Sequence, residues 1–317
     1  MSNKPLISVV LPVYNGQRYL AAAVSSVLMQ SMKDFELIVI DDGSTDGSLA
    51  ILEGLARRDQ RVRLVSRENR GLVATLNEGI SLARAPFIAR MDADDICLPQ
   101  RLARQWAFLQ ANAAVVCVGG YYQLMDQRGR HLTTMTPPSD HAGLERELLA
   151  GHTPLCHPSA MMRAQAVRAV GGYDPAMMLA EDLDLWLRLG EIGRLAVLPE
   201  PVIRYRLHGE SVSEKAGLKQ RQVARAAVEA AWRRRGISGR FEAQDPSRPQ
   251  SSRRSRHRFA LLYGWWAFGS GQRRTAMLYG LRCVSLLPWN LEGWRLAICA
   301  AVKPMPGTAR GAAEITS

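Results

Sequence analysis

The first 111 residues alternate between short apolar runs typical of strands and longer segments with helical spacing, and this alternation limits the fold more than any other feature. The strand-like runs lie at 7–11, 35–40, 62–65 and 87–91, and the helical segments lie at 16–30, 45–58, 71–83 and 99–111. Strands that alternate with helices at this spacing form a parallel sheet covered by helices. The predicted fold class is therefore α/β, with a mostly parallel sheet flanked by helices.

Polar residues directly follow three of the predicted strands. Tyr14 and Asn15 come after the first strand, Asp41 and Asp42 after the second, and Asp92 begins an acidic run after the fourth. In open parallel sheets, ligands bind beyond the carboxyl ends of the strands. We therefore predict that these residues meet at one edge of the sheet and form a binding site there.

The acidic run places three carboxylates in four positions, at Asp92, Asp94 and Asp95. Close like charges raise one another's pKa unless a cation neutralises them. Carboxylate oxygens suit Mg²⁺ or Mn²⁺ bridging a diphosphate, and Ala93 leaves room for a ligand. A solvated acidic turn that caps the next helix explains the run alone equally well. The earlier string DDGSTD likewise fits an Asx turn followed by a helix N-cap.

The chain is basic only in its C-terminal part. Residues 1–214 carry 22 Lys and Arg against 24 Asp and Glu, whereas residues 215–317 carry 19 against 5. Four tryptophans lie among the arginine clusters of that part: Trp265, Trp266, Trp289 and Trp294. Basic helices rich in tryptophan suit an anionic membrane surface. A helical extension packed on the preceding domain is the alternative, and nucleic acid is disfavoured because no known binding module frames these charges.

Cysteine usage and hydropathy bear on location. The five cysteines form no CxxC pair, so neither a zinc site nor a disulfide framework is indicated. Reduced thiols of this kind are typical of cytoplasmic proteins. The first apolar run ends at Pro12, too early for a signal peptide, and no run reaches the roughly 18 apolar residues that a membrane span needs. We expect a cytoplasmic protein, peripheral on the inner face of the cell membrane.

Four strings resemble a known family in their order and spacing. They are ISVVLPVYN at 7–15, FELIVIDDGSTDG at 35–47, NRGLVATLNEG at 69–79 and IARMDADDICLPQRL at 88–102. They resemble family 2 glycosyltransferases of the bacterial cell-envelope type, which are inverting enzymes with the GT-A fold. The resemblance continues through Glu181-Asp182 to YRLHGESVS at 205–213 and covers about residues 5–215.

The resemblance implies a Rossmann-like GT-A sheet with a C-terminal helical extension. Two late runs at 196–198 and 202–207 also predict strands. Changes in composition complete the division into four segments. They are a catalytic domain at 1–214, a helical extension at 215–242, a basic flexible linker at 243–258 and a basic, tryptophan-containing helical tail at 259–317.

The resemblance also assigns residues to a nucleotide-sugar donor. Those expected at the nucleotide are Pro12, Tyr14, Asn15, Asp42, Arg70, Asn77, Asp92 and Ala93. Asp42 is similar to the residue that hydrogen-bonds a uracil ring, which implies a UDP-sugar. Asp92 and Asp94 match the DxD motif, with Asp94 as the direct ligand of Mg²⁺ or Mn²⁺. His208 is the candidate for a further metal or diphosphate contact from a closing loop.

The acceptor side is assigned to the second half of this region. Asp182 matches the catalytic base, which takes the proton of the acceptor hydroxyl during in-line attack on the anomeric carbon. Glu181, His157 and Trp186 are expected near the acceptor, although core packing is the default role of a tryptophan at such a position. The implied function is transfer of a sugar from the nucleotide to a cell-envelope glycan or glycolipid.

Other functions are compatible with an α/β core. A sugar-phosphate nucleotidyltransferase would usually carry a Gly-rich basic loop after the first strand, where this chain has PVYNG. A non-catalytic nucleotide- or glycan-binding protein would not need both Asp94 and Asp182. A dehydrogenase is disfavoured, because no GxGxxG follows the first strand.

Overall fold

The structure is a computed structural model that describes residues 4–207, 217–243 and 252–306. The strands are β1 (Ile7–Val13), β2 (Phe35–Asp42), β3 (Val62–Arg67), β4 (Phe87–Arg90), β5 (Ile96–Cys97), β6 (Val115–Met125), β7 (His131–Met135), β8 (Met161–Arg163) and β9 (Arg194–Arg206). The helices are α1 (Gln17–Leu28), α2 (Ser48–Arg58), α3 (Leu72–Leu82), α4 (Arg101–Ala111), α5 (His141–Leu149), α6 (Ala164–Ala169), α7 (Glu181–Ile192), α8 (Gly217–Arg235), α9 (Arg253–Gly269), α10 (Arg273–Leu286) and α11 (Leu291–Val302).

The chain divides into two compact units. The first consists of residues 1–121, 137–204 and 218–244, and the second consists of residues 122–136, 205–217 and 245–317. Among the described residues, no helix is both long enough and apolar enough to cross a membrane.

The first unit is built on a sheet with the strand order β3-β2-β1-β4-β8-β6-β9-β5. β1 pairs in parallel with β2 and β4, and β2 pairs in parallel with β3, whereas β8 runs antiparallel to β4. Every residue of β1, β2 and β4 is buried, as expected for parallel strands covered on both faces. The predicted α/β fold, with its mostly parallel sheet and C-terminal helices, is confirmed.

The strand register brings three loops to one edge of this sheet. Val13 at the end of β1 lies beside Asp41 on β2, and Val10 lies beside Arg90, the last residue of β4. Because these strands are parallel, the segments that follow them leave the sheet at the same end. The polar residues predicted to meet there are therefore neighbours.

Helix α8 packs into the core of the first unit. Ala227 is fully buried, and two of the three arginines at the end of the helix are paired within the same unit. Arg234 donates to Glu191 at 2.8 Å, and Arg235 forms an ion pair with Glu145. The first basic cluster after residue 214 is therefore a packed extension, as the alternative interpretation of the basic region proposed.

The second unit combines a β-hairpin with the helices α9, α10 and α11. β7 pairs antiparallel with the end of β6, and α9 packs on β7. Asp126 in the hairpin accepts hydrogen bonds from Arg130 Nε (2.6 Å) and from the hydroxyl of Tyr279 on α10 (2.9 Å). This buried carboxylate joins the hairpin to the helices.

Two strand boundaries differ from the prediction at prolines. β1 continues through Pro12 to Val13, and the runs at 196–198 and 202–207 form one strand, β9, which contains Pro199 and Pro201. The fixed φ of proline is compatible with an extended strand. Alternate residues point their N–H groups to the same neighbour, so two prolines two residues apart remove donors from one edge only.

The start of α9 also differs from the prediction. The helix begins at Arg253, inside the segment 243–258 that the composition marks as a flexible linker. The side chain of Ser252 accepts the backbone N–H of Ser255 at 3.1 Å and so caps the first turn. Residues 244–251 of that segment lie outside the described residues.

Candidate active site

Hydrogen bonds join the loops after β1 and β2. The backbone N–H of Asn15 donates to Ser44 Oγ (3.0 Å), and Asn15 Oδ1 accepts the backbone N–H of Thr45 (2.8 Å). Asn15 has a φ of 50°, a left-handed conformation that asparagine tolerates better than most residues. Gly43 also has a positive φ, and a Cβ there would lie 2.7 Å from the backbone nitrogen of Asn69. The loops after β1 and β2, both expected at the nucleotide sugar, therefore form one connected frame.

Asp42 is buried at the end of β2, and the loop after β3 holds its carboxylate. It accepts the backbone N–H groups of Arg70 (2.8 Å) and Gly71 (2.9 Å), and it forms an ion pair with Arg67. Arg67 also donates to Glu78 at 2.7 Å. Arg67 was not among the predicted site residues, and its signal in the sequence is only a basic residue ending a strand.

The acidic run after β4 is a compact cluster. Asp92, Asp94 and Asp95 each offer one oxygen, and these oxygens lie within 4.8 Å of one another. Asp95 is fully buried, whereas the other two side chains are half-buried. Burial raises the pKa of Asp92, and the charges of Asp94 and Glu181 raise it further, although Arg90 opposes them.

A buried cation lies next to this cluster. Arg90, the last residue of β4, is 4% exposed and forms an ion pair with Asp92. Burial works against the guanidinium charge, but Asp92 outweighs it and raises the pKa of Arg90. The signal for this residue is visible in the sequence as a single charge in the apolar strand FIAR, but Arg90 was not among the predicted site residues.

Asp182 is the second residue of α7 and is half-buried. Burial raises the pKa of Asp182 to about 7, and the charge of Glu181 adds to the rise. The backbone N–H of Leu183, at 2.8 Å, and the charge of Arg90 oppose it. Because Arg90 acts on both Asp92 and Asp182, the cluster after β4 and the start of α7 form one electrostatic site.

Glu181 is directed to the turn that precedes α7. Its Oε2 accepts the backbone N–H of Leu179 at 2.8 Å. Leu179 has a φ of 90°, a conformation that costs a non-glycine residue about 1–3 kcal/mol. Glu181 therefore stabilises a strained turn and also places a negative charge beside Asp182.

Buried aromatic residues lie behind the start of α7. His157 Nε2 and the hydroxyl of Tyr173 are 2.7 Å apart, and burial, with the charge of Arg90, holds the pKa of His157 well below its usual value. Trp186 packs edge-on against His157, with ring centroids 5.9 Å apart. The expectation that Trp186 contacts the acceptor is wrong, because the side chain has no exposed surface on which a sugar could stack.

Asn77 connects α3 to the loop before α7. Its Nδ2 donates to the carbonyl oxygen of Tyr173 (2.8 Å), and its Oδ1 accepts the backbone N–H of the same residue (2.9 Å). Both ends of the amide are therefore engaged in the fold. A contact between this side chain and a nucleotide stays a prediction.

The other predicted residues take varied positions. Tyr14 is 56% exposed at the mouth of the β1 loop, and Pro12 is buried within β1. The Cβ of Ala93 lies 3.4 Å from the position that a Cβ on Gly16 would occupy, so the acidic run abuts the β1 loop. His208 lies outside the described residues.

A known family matches the part of the chain that builds this site. Residues 8–171, more than half of the chain, match the family described as glycosyl transferase family 2. The chain belongs to this family. One relative of this glycosyltransferase is the putative glycosyltransferase EpsE of Bacillus subtilis, 39% identical over 197 residues, which cover 61% of this chain and 69% of EpsE.

Solved structures share the fold of this glycosyltransferase. Staphylococcus aureus TarS 1–349 in complex with UDP-GlcNAc matches with a TM-score of 0.56 and 16% identity, over 93% of this chain and 79% of that one. Mannosyltransferase PcManGT from Pyrobaculum calidifontis, in complex with GDP-Man and Mn²⁺, matches with a TM-score of 0.54 and 19% identity, over 95% and 81%. At these identities the likeness establishes the GT-A fold.

Membership of the family decides between the functions compatible with an α/β core. The chain is a glycosyltransferase, and neither a sugar-phosphate nucleotidyltransferase nor a non-catalytic binding protein accounts for the match over residues 8–171. The predicted class of enzyme is confirmed.

The acidic cluster of this glycosyltransferase fits a divalent cation. Its carboxylate oxygens are the hard ligands that Mg²⁺ and Mn²⁺ prefer, and they are close enough to share one ion. Arg90 already neutralises part of the charge of Asp92. Burial is the main cause of the raised pKa of Asp92, and the charge of Asp94 adds to it; a cation at the cluster would offset that charge.

Proposed function

We propose that this enzyme is an inverting glycosyltransferase that moves a sugar from a nucleotide-sugar donor, most simply a UDP-sugar, to a cell-envelope glycan or glycolipid. The observation that carries the proposal is the pairing of two acidic groups in one site. The cluster that contains Asp94 suits a cation on the donor side, and Asp182, with its pKa raised to about 7, suits a base on the acceptor side.

In the proposed reaction, the oxygen of the acceptor hydroxyl forms a bond to the anomeric carbon as the bond from that carbon to the nucleoside diphosphate breaks. Asp182 takes the hydroxyl proton, so the attacking oxygen does not carry a full positive charge. Mg²⁺ or Mn²⁺ held by Asp94 would offset the negative charge on the departing diphosphate. Attack from the face opposite the leaving group inverts the configuration.

The donor side rests on the frame formed by the loops after β1 and β2. In the proposal, Pro12, Tyr14 and Asn15 line the base and ribose, and Asp42 contacts the ring of the base. The ion pair with Arg67 and the two backbone N–H groups hold the Asp42 carboxylate in one orientation. The complexes of TarS with UDP-GlcNAc and of PcManGT with GDP-Man and Mn²⁺ support this type of donor.

A panel of nucleotide sugars tests the proposed donor. Thermal stabilisation and metal-dependent turnover are expected with one UDP-sugar, and not with the same sugar as a free monophosphate, because the diphosphate provides the contact with the cation. Stabilisation that is unchanged after metal removal by EDTA would contradict the role of Asp94. A preference for GDP-sugars would contradict only the proposal that Asp42 binds the uracil ring of a UDP-sugar.

The acceptor and location follow from the basic C-terminal part. In the proposal, the enzyme acts in the cytoplasm at the inner face of the cell membrane, where lipid-linked acceptors are available. The attachment is assigned to the second unit, since Arg234 and Arg235 at the end of α8 are already paired with Glu191 and Glu145.

The pH dependence of kcat/KM tests the proposal that Asp182 is the catalytic base. Only ionised Asp182 can accept a proton. We therefore expect kcat/KM to rise about tenfold per pH unit up to about pH 7 and to be constant above that pH. Initial rates at subsaturating acceptor, measured in a constant ionic strength buffer, check this. A profile that is flat from about pH 5 to pH 8 would contradict the assignment.

Arg90→Met tests the electrostatic coupling within the site. The positive charge of Arg90 favours the ionised form of Asp182, so its removal is expected to shift the acidic limb of kcat/KM to higher pH and to lower the rate at neutral pH about tenfold. Arg90→Lys keeps the positive charge, so its acidic limb of kcat/KM should lie at the same pH as that of the wild type. A reduced rate without any shift of the limb would indicate only a structural role for Arg90.

A further inference from the structure

We infer that the exposed face of α11, together with the turn before it, docks on the surface of an anionic lipid bilayer. The face consists of Leu291, Trp294, Ile298 and Val302, here called the α11 stripe. This inference names the surface responsible for the proposed membrane attachment and rests on that part of the proposed function. It does not depend on the donor, the metal or the catalytic base.

The stripe is continuous along one side of the helix. Its members are spaced three, four and four residues apart, which places them above one another on a helix surface. They are 80%, 45%, 58% and 73% exposed, in chain order. The opposite side of α11, which includes Leu296 and Ala300, is fully buried. The helix is therefore apolar on two sides, although the core uses only one of them.

The turn before α11 extends the apolar surface. Trp289 is 75% exposed and lies two residues before the first member of the stripe. Trp294 Nε1 donates to the carbonyl oxygen of Pro288 at 2.9 Å, so this indole N–H is satisfied within the chain. Single exposed apolar residues are common on protein surfaces, but a row of five large ones marks an interaction site.

The tryptophans of this region fall into two groups. Trp266 stacks on Tyr263 with ring centroids 5.7 Å apart, and Trp265 packs edge-on against Phe268 at 5.6 Å. These two indoles contribute to the packing of the second unit. Trp289 and Trp294 are exposed, and in our inference these two side chains insert into the bilayer interface.

The charge around the stripe favours lipid as the occupant. The segment 252–306 contains nine Lys and Arg and one acidic residue, Glu292. Arg274, Arg282, Arg295 and Lys303 are exposed on or next to α10 and α11. Basic side chains around an apolar face with tryptophan match the headgroup region of an anionic bilayer.

A second copy of the chain is a poorer occupant for the same reason. A two-fold contact places identical patches against each other. Self-association through the stripe would therefore bring Arg295 and Lys303, which adjoin it along α11, close to their own copies, with little acidic charge to offset them. The length of α11, 12 residues or about 18 Å, is too short to cross a bilayer but sufficient to lie in its interface.

The test uses the full chain and a double variant, Leu291→Glu with Ile298→Glu. Flotation with phosphatidylcholine vesicles and with mixed phosphatidylcholine–phosphatidylglycerol vesicles measures binding. The wild type is expected to float with the mixed vesicles only, and the variant to lose about tenfold or more in partition coefficient. The matched control is Met29→Glu with Ile192→Glu, which adds the same charge at exposed apolar residues of the first unit and should bind as the wild type does.

Three other results would overturn the inference. One is equal flotation of the wild type and the stripe variant. Another is a wild type that ignores both kinds of vesicle but changes from dimer to monomer in light scattering when the stripe is substituted. The third is binding that is equally strong on phosphatidylcholine alone. Circular dichroism and melting temperature confirm that each variant is folded.

Turnover separates this inference from the proposed reaction. With a soluble acceptor analogue, the stripe variant is expected to retain wild-type kcat, since no residue of the stripe is assigned to the site. If the variant floats normally while turnover persists, the docking surface is wrong and the reaction stands. If the wild type turns over no nucleotide sugar but floats with the mixed vesicles, and the stripe variant does not float, the proposed reaction is wrong and the docking surface stands.

Discussion

Asp182→Asn is expected to lower kcat about a thousandfold, because an amide cannot accept the proton of the acceptor hydroxyl. The donor should bind as before, since the substitution keeps the size of the side chain and leaves the cluster after β4 intact. Steady-state rates and the donor dissociation constant from calorimetry separate the two effects. Glu191→Gln, on the exposed end of the same helix, is the matched control and should keep full activity. Unchanged turnover in Asp182→Asn would remove the assignment of the base.

The same variant has an expected effect on stability that a merely damaged protein would not show. Burial raises the pKa of Asp182 to about 7 in the folded state, above the value of about 3.9 for a free Asp side chain. The folded state therefore holds the proton more tightly, and this contribution to stability is lost as pH rises through about 7. At about pH 8 the ionised carboxylate opposes folding, so Asp182→Asn should melt at a higher temperature than the wild type. A lower melting temperature at that pH would contradict a raised pKa of Asp182 in the folded state.

Asp94→Ala is expected to abolish metal-dependent donor binding and to lower kcat/KM by about two orders of magnitude or more. A cation that offsets charge on the leaving group is worth several kcal/mol, and each 1.36 kcal/mol is about tenfold in rate. The measurement is the shift in melting temperature caused by Mn²⁺ and a nucleoside diphosphate together. The wild type should show a shift that EDTA abolishes, and the variant should show none.

Asp34→Ala is the matched control for this loss of a carboxylate. Asp34 is exposed and precedes β2, at the opposite edge of the sheet from the acidic cluster. Its removal should leave both the metal-dependent shift and kcat/KM unchanged. A full metal-dependent shift in Asp94→Ala would transfer the cation to other ligands and contradict the proposed donor side.

The acidic cluster was predictable because it depends on short-range sequence. A short, mostly apolar strand followed at once by Asp92 and Asp94 places both carboxylates at the end of that strand, whatever surrounds it. The positively charged side chain beside the cluster, that of Arg90, was not among the predicted site residues. Arg90 appears in the sequence as one charge in an apolar strand, and only the register of β4 against β1 shows that it is buried next to Asp92.

Trp186 and Asn77 show the opposite case. Asn77 lies in a string that resembles the family's nucleotide site, and its contact with a nucleotide stays a prediction. For Trp186, core packing is the default role and contact with the acceptor is the alternative. In the fold, Trp186 is fully buried and the Asn77 amide is engaged by the backbone of Tyr173, 96 residues away. Contacts over such sequence separations are formed by packing, and no local pattern encodes them.

The C-terminal part combines both situations. Its charge and its tryptophans are properties of composition, and they indicated a membrane surface without assigning residues to it. Packing then divided the basic clusters, because α8 pairs Arg234 and Arg235 with acids of the first unit, whereas α11 leaves Trp294 and Ile298 exposed.

The order of strands and helices, the polar residues at the strand ends and the basic C-terminal part could be established from local sequence. These features depend on periodicity and charge within windows of a few residues. The packed fold was needed to place Arg90 beside the acidic cluster, to raise the pKa of Asp182 and to expose the α11 stripe. Burial and the distances between charges are set by residues far apart in the chain, so they exist only once the chain has folded.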